Sequence, residues 1–171
     1  VSQQIALALL AGFVGLLGVA ALCDARTMRI PNRISLLLVA AFLPFAPLAG
    51  LELAQIGLHL GVGLAVLAGT FALFALGLIG GGDAKLIAAA AVWFGASDVG
   101  GFLFATAMAG GVLTLAIVAL RAVPVPAAVD GWPWLARLRS KDVGVPYGIA
   151  IAAGAFVALP QSAAWRLAIG A

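Results

Sequence analysis

Asp24, in Cys-Asp-Ala-Arg, and Asp83, in Gly-Gly-Gly-Asp-Ala-Lys, each stand at the end of an apolar segment. A charged side chain at the bilayer centre costs about 2.5–3.5 kcal/mol on insertion scales, so acids held at membrane depth usually carry a function. Two carboxylates within hydrogen-bond reach of each other cannot both ionise; they share a proton and titrate as a coupled pair. Such a pair supports aspartic-protease chemistry. The ionised member takes a proton from water and the water attacks a peptide carbonyl. The protonated member stabilises the developing oxyanion and helps protonate the leaving amine. Gly80, Gly81 and Gly82 fit this chemistry, because residues without Cβ let a substrate backbone approach the carboxylate closely. Each acid taken alone has a plainer reading. Asp24 could cap the end of a span beside Arg26, and Asp83 could be the N-cap of the following helix.

The elements that must position these acids are helices in lipid. Of the 171 residues, 65% are hydrophobic and 9% charged, which together with several uninterrupted apolar runs marks an integral membrane protein. Lipid offers no partner for a free backbone N–H or C=O, and the runs lack the alternation that a membrane barrel requires. The expected fold is therefore all-α, a polytopic membrane helix bundle of about six transmembrane helices at about 20 residues each, forming a single domain over 1–171. The spans are expected near 4–23, 34–51, 56–79, 84–101, 102–120 and 145–159. The fourth is the shortest apolar core, and Pro44 and Pro47 are expected to kink or shorten the second. Gly57, Gly61 and Ala65 fall four apart on the third, a spacing suited to close helix contact. No internal repeat is visible.

Charge gives the orientation. The loop after the first span carries Arg26, Arg29 and Arg33, the loop after the third carries Lys85, and the stretch at about 121–144 carries Arg121, Arg137, Arg139 and Lys141. The intervening loops carry Glu52 and Asp98 but no Lys or Arg, so the positive-inside rule places the basic loops in the cytoplasm. Asp24 and Asp83, two crossings apart, then share the cytoplasmic face. The 121–144 loop also holds Trp132 and Trp134 and reads as a segment lying on anionic lipid. The net charge of +3 is accounted for by these loops, and no motif for reading nucleic acid is present. The single cysteine, Cys23, permits neither an internal disulfide nor a cysteine-built zinc site; it reads as a small core residue.

Asp24-Ala25-Arg26 followed by Ile30-Pro31-Asn32, together with Gly80-Gly81-Gly82-Asp83-Ala84-Lys85, resembles the two aspartate motifs of the type IV prepilin peptidases. These are prokaryotic inner-membrane aspartyl proteases with a Gly-x-Gly-Asp motif like that of presenilin-type enzymes. Val145-Pro146-Tyr147-Gly148-Ile149-Ala150 is similar to the start of that family's last span. The resemblance implies cleavage of a short basic leader from prepilins or pseudopilins at the cytoplasmic face, with Asp24 and Asp83 as the catalytic pair and no cofactor. Larger members add a cysteine-built zinc region and methylate the new N-terminus. This chain starts at its first span with one cysteine, so the resemblance is to the short branch serving tight-adherence (Flp-type) pili, without methylation.

Supporting roles are expected around the pair. Arg26 and Lys85 each lie two residues beyond an aspartate, where a cation favours an ionised carboxylate or holds a substrate carbonyl; an anchor for the positive-inside rule explains Arg26 equally well. Asn32 could hydrogen-bond near Asp24, although Pro-Asn is also an ordinary turn. Pro146 and Tyr147 could shape the rim of the site, while proline near a first helical turn needs no function. His59 reads as a satisfied bundle histidine, since no second metal ligand accompanies it. Two rivals remain: an ion-coupled transporter, whose acids would lie at the midplane between repeats, and a noncatalytic pilus-assembly subunit with the same fold.

Overall fold

The computed structural model describes residues 2–122, 138–140 and 144–170. Helix α1 (Ser2–Thr27) is an unbroken apolar run without proline. It stops where Met28 enters the left-handed region at φ 55 and sends its N–H to the Asp24 carbonyl at 2.8 Å. The helix therefore runs past the expected boundary at residue 23, and Asp24 lies inside its last turn. Pro31 is extended and feeds α2 (Asn32–Leu48), which ends one residue after Pro47. Prolines 44 and 47 supply no N–H to the helical ladder, and this accounts for the early stop relative to residue 51. Gly50, at φ 86, closes the helix by letting Leu51 N–H reach the Ala46 carbonyl at 2.9 Å.

Helix α3 (Leu53–Ala75) opens with the Gln55 side chain accepting the Glu52 N–H at 2.8 Å. It closes in the same manner as α2, with Gly77 at φ 73 and Leu78 N–H on the Leu73 carbonyl at 2.9 Å. The glycine turn then starts α4 (Gly81–Ala122), which is interrupted at Gly95 (φ 62, ψ −170). Phe94 and Phe102 stack across this break with ring centroids 4.6 Å apart and planes 3° apart. On a straight helix, eight residues would be separated by about 12 Å. The chain therefore doubles back, giving a first limb over 81–94 and a second over 96–122.

The second limb pairs with α5 (Tyr147–Ala158): Tyr147 packs on Gly110 and Thr106 on Gly154. Rising number on one helix meets falling number on the other, so the two run antiparallel. A 3-10 turn (Leu159–Gln161) leads into α6 (Ala163–Ile169), bent by 58° from α5. This last helix is not legible in the apolar pattern, which ends near Pro160. It begins because Ser162 caps the Trp165 N–H at 3.2 Å and Asp98 Oδ2 accepts the Ala163 N–H at 2.8 Å. Of the basic loop expected at about 121–144, residues 123–137 and 141–143 lie outside the described residues; Arg121 Nε donates to the Leu138 carbonyl at 2.8 Å.

The architecture is an all-α membrane helix bundle. Gln3–Thr27, Leu53–Ala75 and Gly81–Ala122 are each long and apolar enough to cross a bilayer; α5 and α6 meet the same test only as a bent pair, and α2 is shorter. Helix α4 is the hub, packing against α2, α3 and α5, while α1 rests on α2 and α5. The core at one end is aromatic: Phe13 stacks on Trp93 at 4.7 Å and Phe45 lies 4.8 Å from the same ring. Trp93 Nε1 donates to the Leu38 carbonyl at 3.0 Å, which settles its one polar atom inside the bundle.

His59 belongs to this aromatic end. Its ring stacks on Phe42 at 5.3 Å and its Nδ1 meets the Val92 carbonyl at 2.7 Å. The break at Gly95 deprives Val92 of its usual helical donor four residues on, and the histidine replaces it. Gly95 has no room for a side chain, because a Cβ would sit 2.5 Å from the imidazole. Gly57, Gly61 and Ala65, spaced for a helix partner, are instead exposed on the α3 surface among the described residues.

Candidate active site

The end of the bundle opposite His59 collects both aspartates. Asp24 is buried in the last turn of α1, at the negative end of that helix dipole, where an anion needs external support. The support comes from 124 residues away: the Gly148 N–H, in the first turn of α5, donates to Asp24 Oδ2 at 2.7 Å. That N–H also sits at the positive end of α5. The Gly148 bond favours Oδ2 as the carbonyl-like, accepting oxygen and so favours Oδ1 as the site of any proton on Asp24. Gly148 has no room for a side chain. A Cβ there would lie 2.9 Å from the Asp24 Cβ and 3.0 Å from its Oδ2.

Asp83 is half-buried at the third position of α4, and its carboxylate reaches back to accept the Gly80 N–H. It is thus not the N-cap itself but the residue that closes the helix start from within. Each of the three glycines has a distinct steric reason. A Cβ at Gly80 would sit 2.8 Å from Asp83 Oδ2, one at Gly81 3.2 Å from the Phe74 ring, and one at Gly82 3.2 Å from the Ile30 Cβ. The protein's own atoms occupy the space that their missing side chains leave. Nearby, Thr70 Oγ1 donates to the Val66 and Ala84 carbonyls at 2.8 and 3.2 Å, tying α3 to the start of α4.

Asp24 and Asp83 line one cavity of about 290 Å³ and lie close enough for their charges to interact. Asn32, Gly80 and Gly82 line it too, as do Met28, Arg29 and Ile30 from the connection between α1 and α2. The other residues singled out in the sequence lie elsewhere. Arg26 is exposed on α1 and is not part of the cavity lining. Lys85 points onto the neighbouring surface, where its Nζ donates to Asn32 Oδ1 at 3.1 Å. Pro146 is fully buried ahead of α5, and Tyr147 turns its ring to Gly110 on the far side of that helix.

Gly148 lies in the Val145–Ala150 stretch, but its contact with Asp24 is not apparent from the sequence. The available signal is a glycine in the first helical turn, where it costs stability unless a neighbour must come close. Arg29 and Ile30 were also missed as lining residues, because they sit in a short link whose direction depends on the left-handed turn at Met28.

The arrangement offers two carboxylates around a small cavity of mixed lining, each with an oxygen fixed by a backbone N–H. Among the described residues no cluster of three or more His, Cys, Asp or Glu has the geometry for a metal ion. No curated protein and no solved structure matches the chain. A model of the type IV leader peptidase family matches residues 11–115, a stretch that contains both aspartates, the Gly80–Gly82 turn and the whole of α2 and α3. With well over half of its length so matched, and with Asp24 and Asp83 of that stretch brought to one cavity, the chain belongs to the type IV leader peptidase family.

Proposed function

We propose that this protease is an aspartic endopeptidase that removes the short basic leader from prepilins or pseudopilins at the cytoplasmic face of the prokaryotic inner membrane. The observation that carries the reading is the shared cavity: Asp24 from α1 and Asp83 from α4, far apart in sequence, face the same 290 Å³ space. A water held between them loses its proton to one carboxylate and attacks the scissile carbonyl, while the other carboxylic acid hydrogen-bonds the carbonyl oxygen as its charge develops. The proton taken from water is then passed to the leaving amine. The Gly148 and Gly80 N–H groups hold one oxygen of each acid in place, so the free oxygens keep their direction through the cycle.

Charge supports the sidedness. Arg26, Arg29, Arg33 and Lys85 all lie around the aspartate end, the pattern of a cytoplasmic face in a multi-pass protein. In this reading α1, α2, α3, the two limbs of α4, and α5 with α6 correspond to the six passes expected from the sequence, and the cleaved leader leaves into the cytoplasm. Co-expression with a prepilin-type substrate, followed by gel mobility and N-terminal sequencing, tests this. The expected product begins immediately after the basic leader. A substrate that stays full length while the protein is inserted in the same membranes would reject the assignment.

A further inference from the structure

Beside the acid cavity runs a second, larger concavity of about 550 Å³, almost wholly apolar, between α2, α3 and the first limb of α4. It exists because α2 and α3 scarcely touch; each is held by α4 and the wedge between them stays open. Its floor is made of small residues, Ala88 and Ala89, and its rims are Leu36 and Leu64, which are 69% and 67% exposed. Small floor residues flanked by leucine rims are the profile against which a helix packs in lipid, where close approach rather than water exclusion supplies the attraction. The wedge's polar lining residues are Ser35, Asn32 and Lys85, the last two joined by the 3.1 Å hydrogen bond.

Asn32 belongs to both cavities: it lines the groove on one side and the Asp24/Asp83 space on the other. An apolar helix lying in the groove with one end at Asn32 would bring the next residues of the same chain to the Asp24/Asp83 cavity. We infer that this groove receives the apolar helix of the peptide substrate from the lipid, and that Asn32 and Lys85 are the passage through which the scissile segment unwinds into the acid cavity. The inference rests on the proposed peptidase reading and names where its substrate enters. Continuity with the acid cavity selects a peptide over a lipid tail, because a hydrolysable peptide bond must emerge from the groove at that end. Lys85 and Asn32 would exchange their mutual bond for backbone carbonyl and N–H groups freed where the substrate helix ends.

A photo-crosslinking residue placed at Leu36 or at Leu64 tests this in intact membranes, with Leu115 on the second limb of α4, 70% exposed, as the control position. An Asp83→Asn background keeps the co-expressed prepilin-type substrate uncut. All three side chains are exposed, and recovery of full-length protein in the membrane fraction verifies each variant. The expected result is a substrate adduct at Leu36 and Leu64 severalfold above that at Leu115, mapped by mass spectrometry to the substrate's apolar helix. Adducts only to phospholipid, or substrate adducts equally strong at Leu115, would overturn the groove while leaving cleavage by the parent protein intact. Absence of cleavage by the parent itself would instead remove the peptidase reading, and this inference with it.

Discussion

Gly148→Ala is the most informative single change that spares both aspartates. The added methyl would lie 2.9 Å from the Asp24 Cβ, 3.0 Å from its Oδ2 and 3.2 Å from the Ile30 Cδ1. Comfortable carbon contacts are about 3.5–4.0 Å, so the end of α1 and the start of α5 must separate by about 0.6–1.1 Å. Misplacement of about 1 Å costs a catalytic constellation on the order of 100-fold, equal to about 2.7 kcal/mol of barrier. The same strain should lower stability by about 1–3 kcal/mol, the usual cost of overpacking. Purified protein in liposomes, with a prepilin-type substrate and single-turnover kinetics, gives the chemical step, and thermal unfolding gives the stability. Gly111→Ala, where an added Cβ meets nothing within 4 Å, is the matched control and should leave both unchanged. Parental turnover in Gly148→Ala would refute the idea that this glycine sets the position of Asp24.

The glycine turn should show a graded response: Gly80→Ala, facing Asp83 Oδ2 at 2.8 Å, should lose more turnover than Gly82→Ala, which meets the Ile30 Cβ at 3.2 Å, and equal losses in single-turnover assays would contradict that order. His59→Ala should destabilise by about 1–3 kcal/mol through the orphaned Val92 carbonyl, seen as a lower unfolding temperature, yet leave the chemical step near parental because the residue is at the opposite end. Trp93→Phe removes the Nε1 donor to the Leu38 carbonyl and also leaves a void among Phe13, Phe42 and Phe45, so it should cost about 2–4 kcal/mol of stability without changing KM, again by thermal unfolding and steady-state kinetics.

Much of the architecture was legible because lipid restricts the choice so strongly. Apolar runs in α1 and α3 are long and unbroken, and in hydrocarbon only helices satisfy such a backbone. Boundaries were less legible where tertiary contacts decide them. Helix α1 continues through Asp24 because the carboxylate finds the Gly148 N–H, a partner that no local pattern announces. Two adjacent spans were legible in α4, but their boundary, expected at 101–102, falls at Gly95, and the way His59 fills that break could not be read from sequence. Helix α6 depends on Ser162 and on Asp98 from a distant element, so its short sequence carries little signal of its own.

The site divides along the same line. Asp24, Asp83 and Asn32 stand out as rare polar residues in an apolar chain, Gly80 and Gly82 as parts of a glycine triplet, and all of them line one cavity. Lys85 is drawn instead to Asn32 on the groove side, and Tyr147 to Gly110, because side-chain direction follows helix packing rather than distance along the sequence. The contact of Gly148 with Asp24 is not apparent from the sequence, since the glycine's importance lies wholly in what it allows another residue to do.

Nonadditive loss of activity at the two acids tests the central claim most directly. Single-turnover cleavage should be compared among the parent, Asp24→Asn, Asp83→Asn and the double variant, each verified as inserted and folded. If the two carboxylates act as one unit, each single change removes nearly all activity, by a factor on the order of 10⁴, and the double variant is no worse than either single. Cleavage that persists in one single variant, or losses that multiply in the double, would contradict a shared catalytic pair.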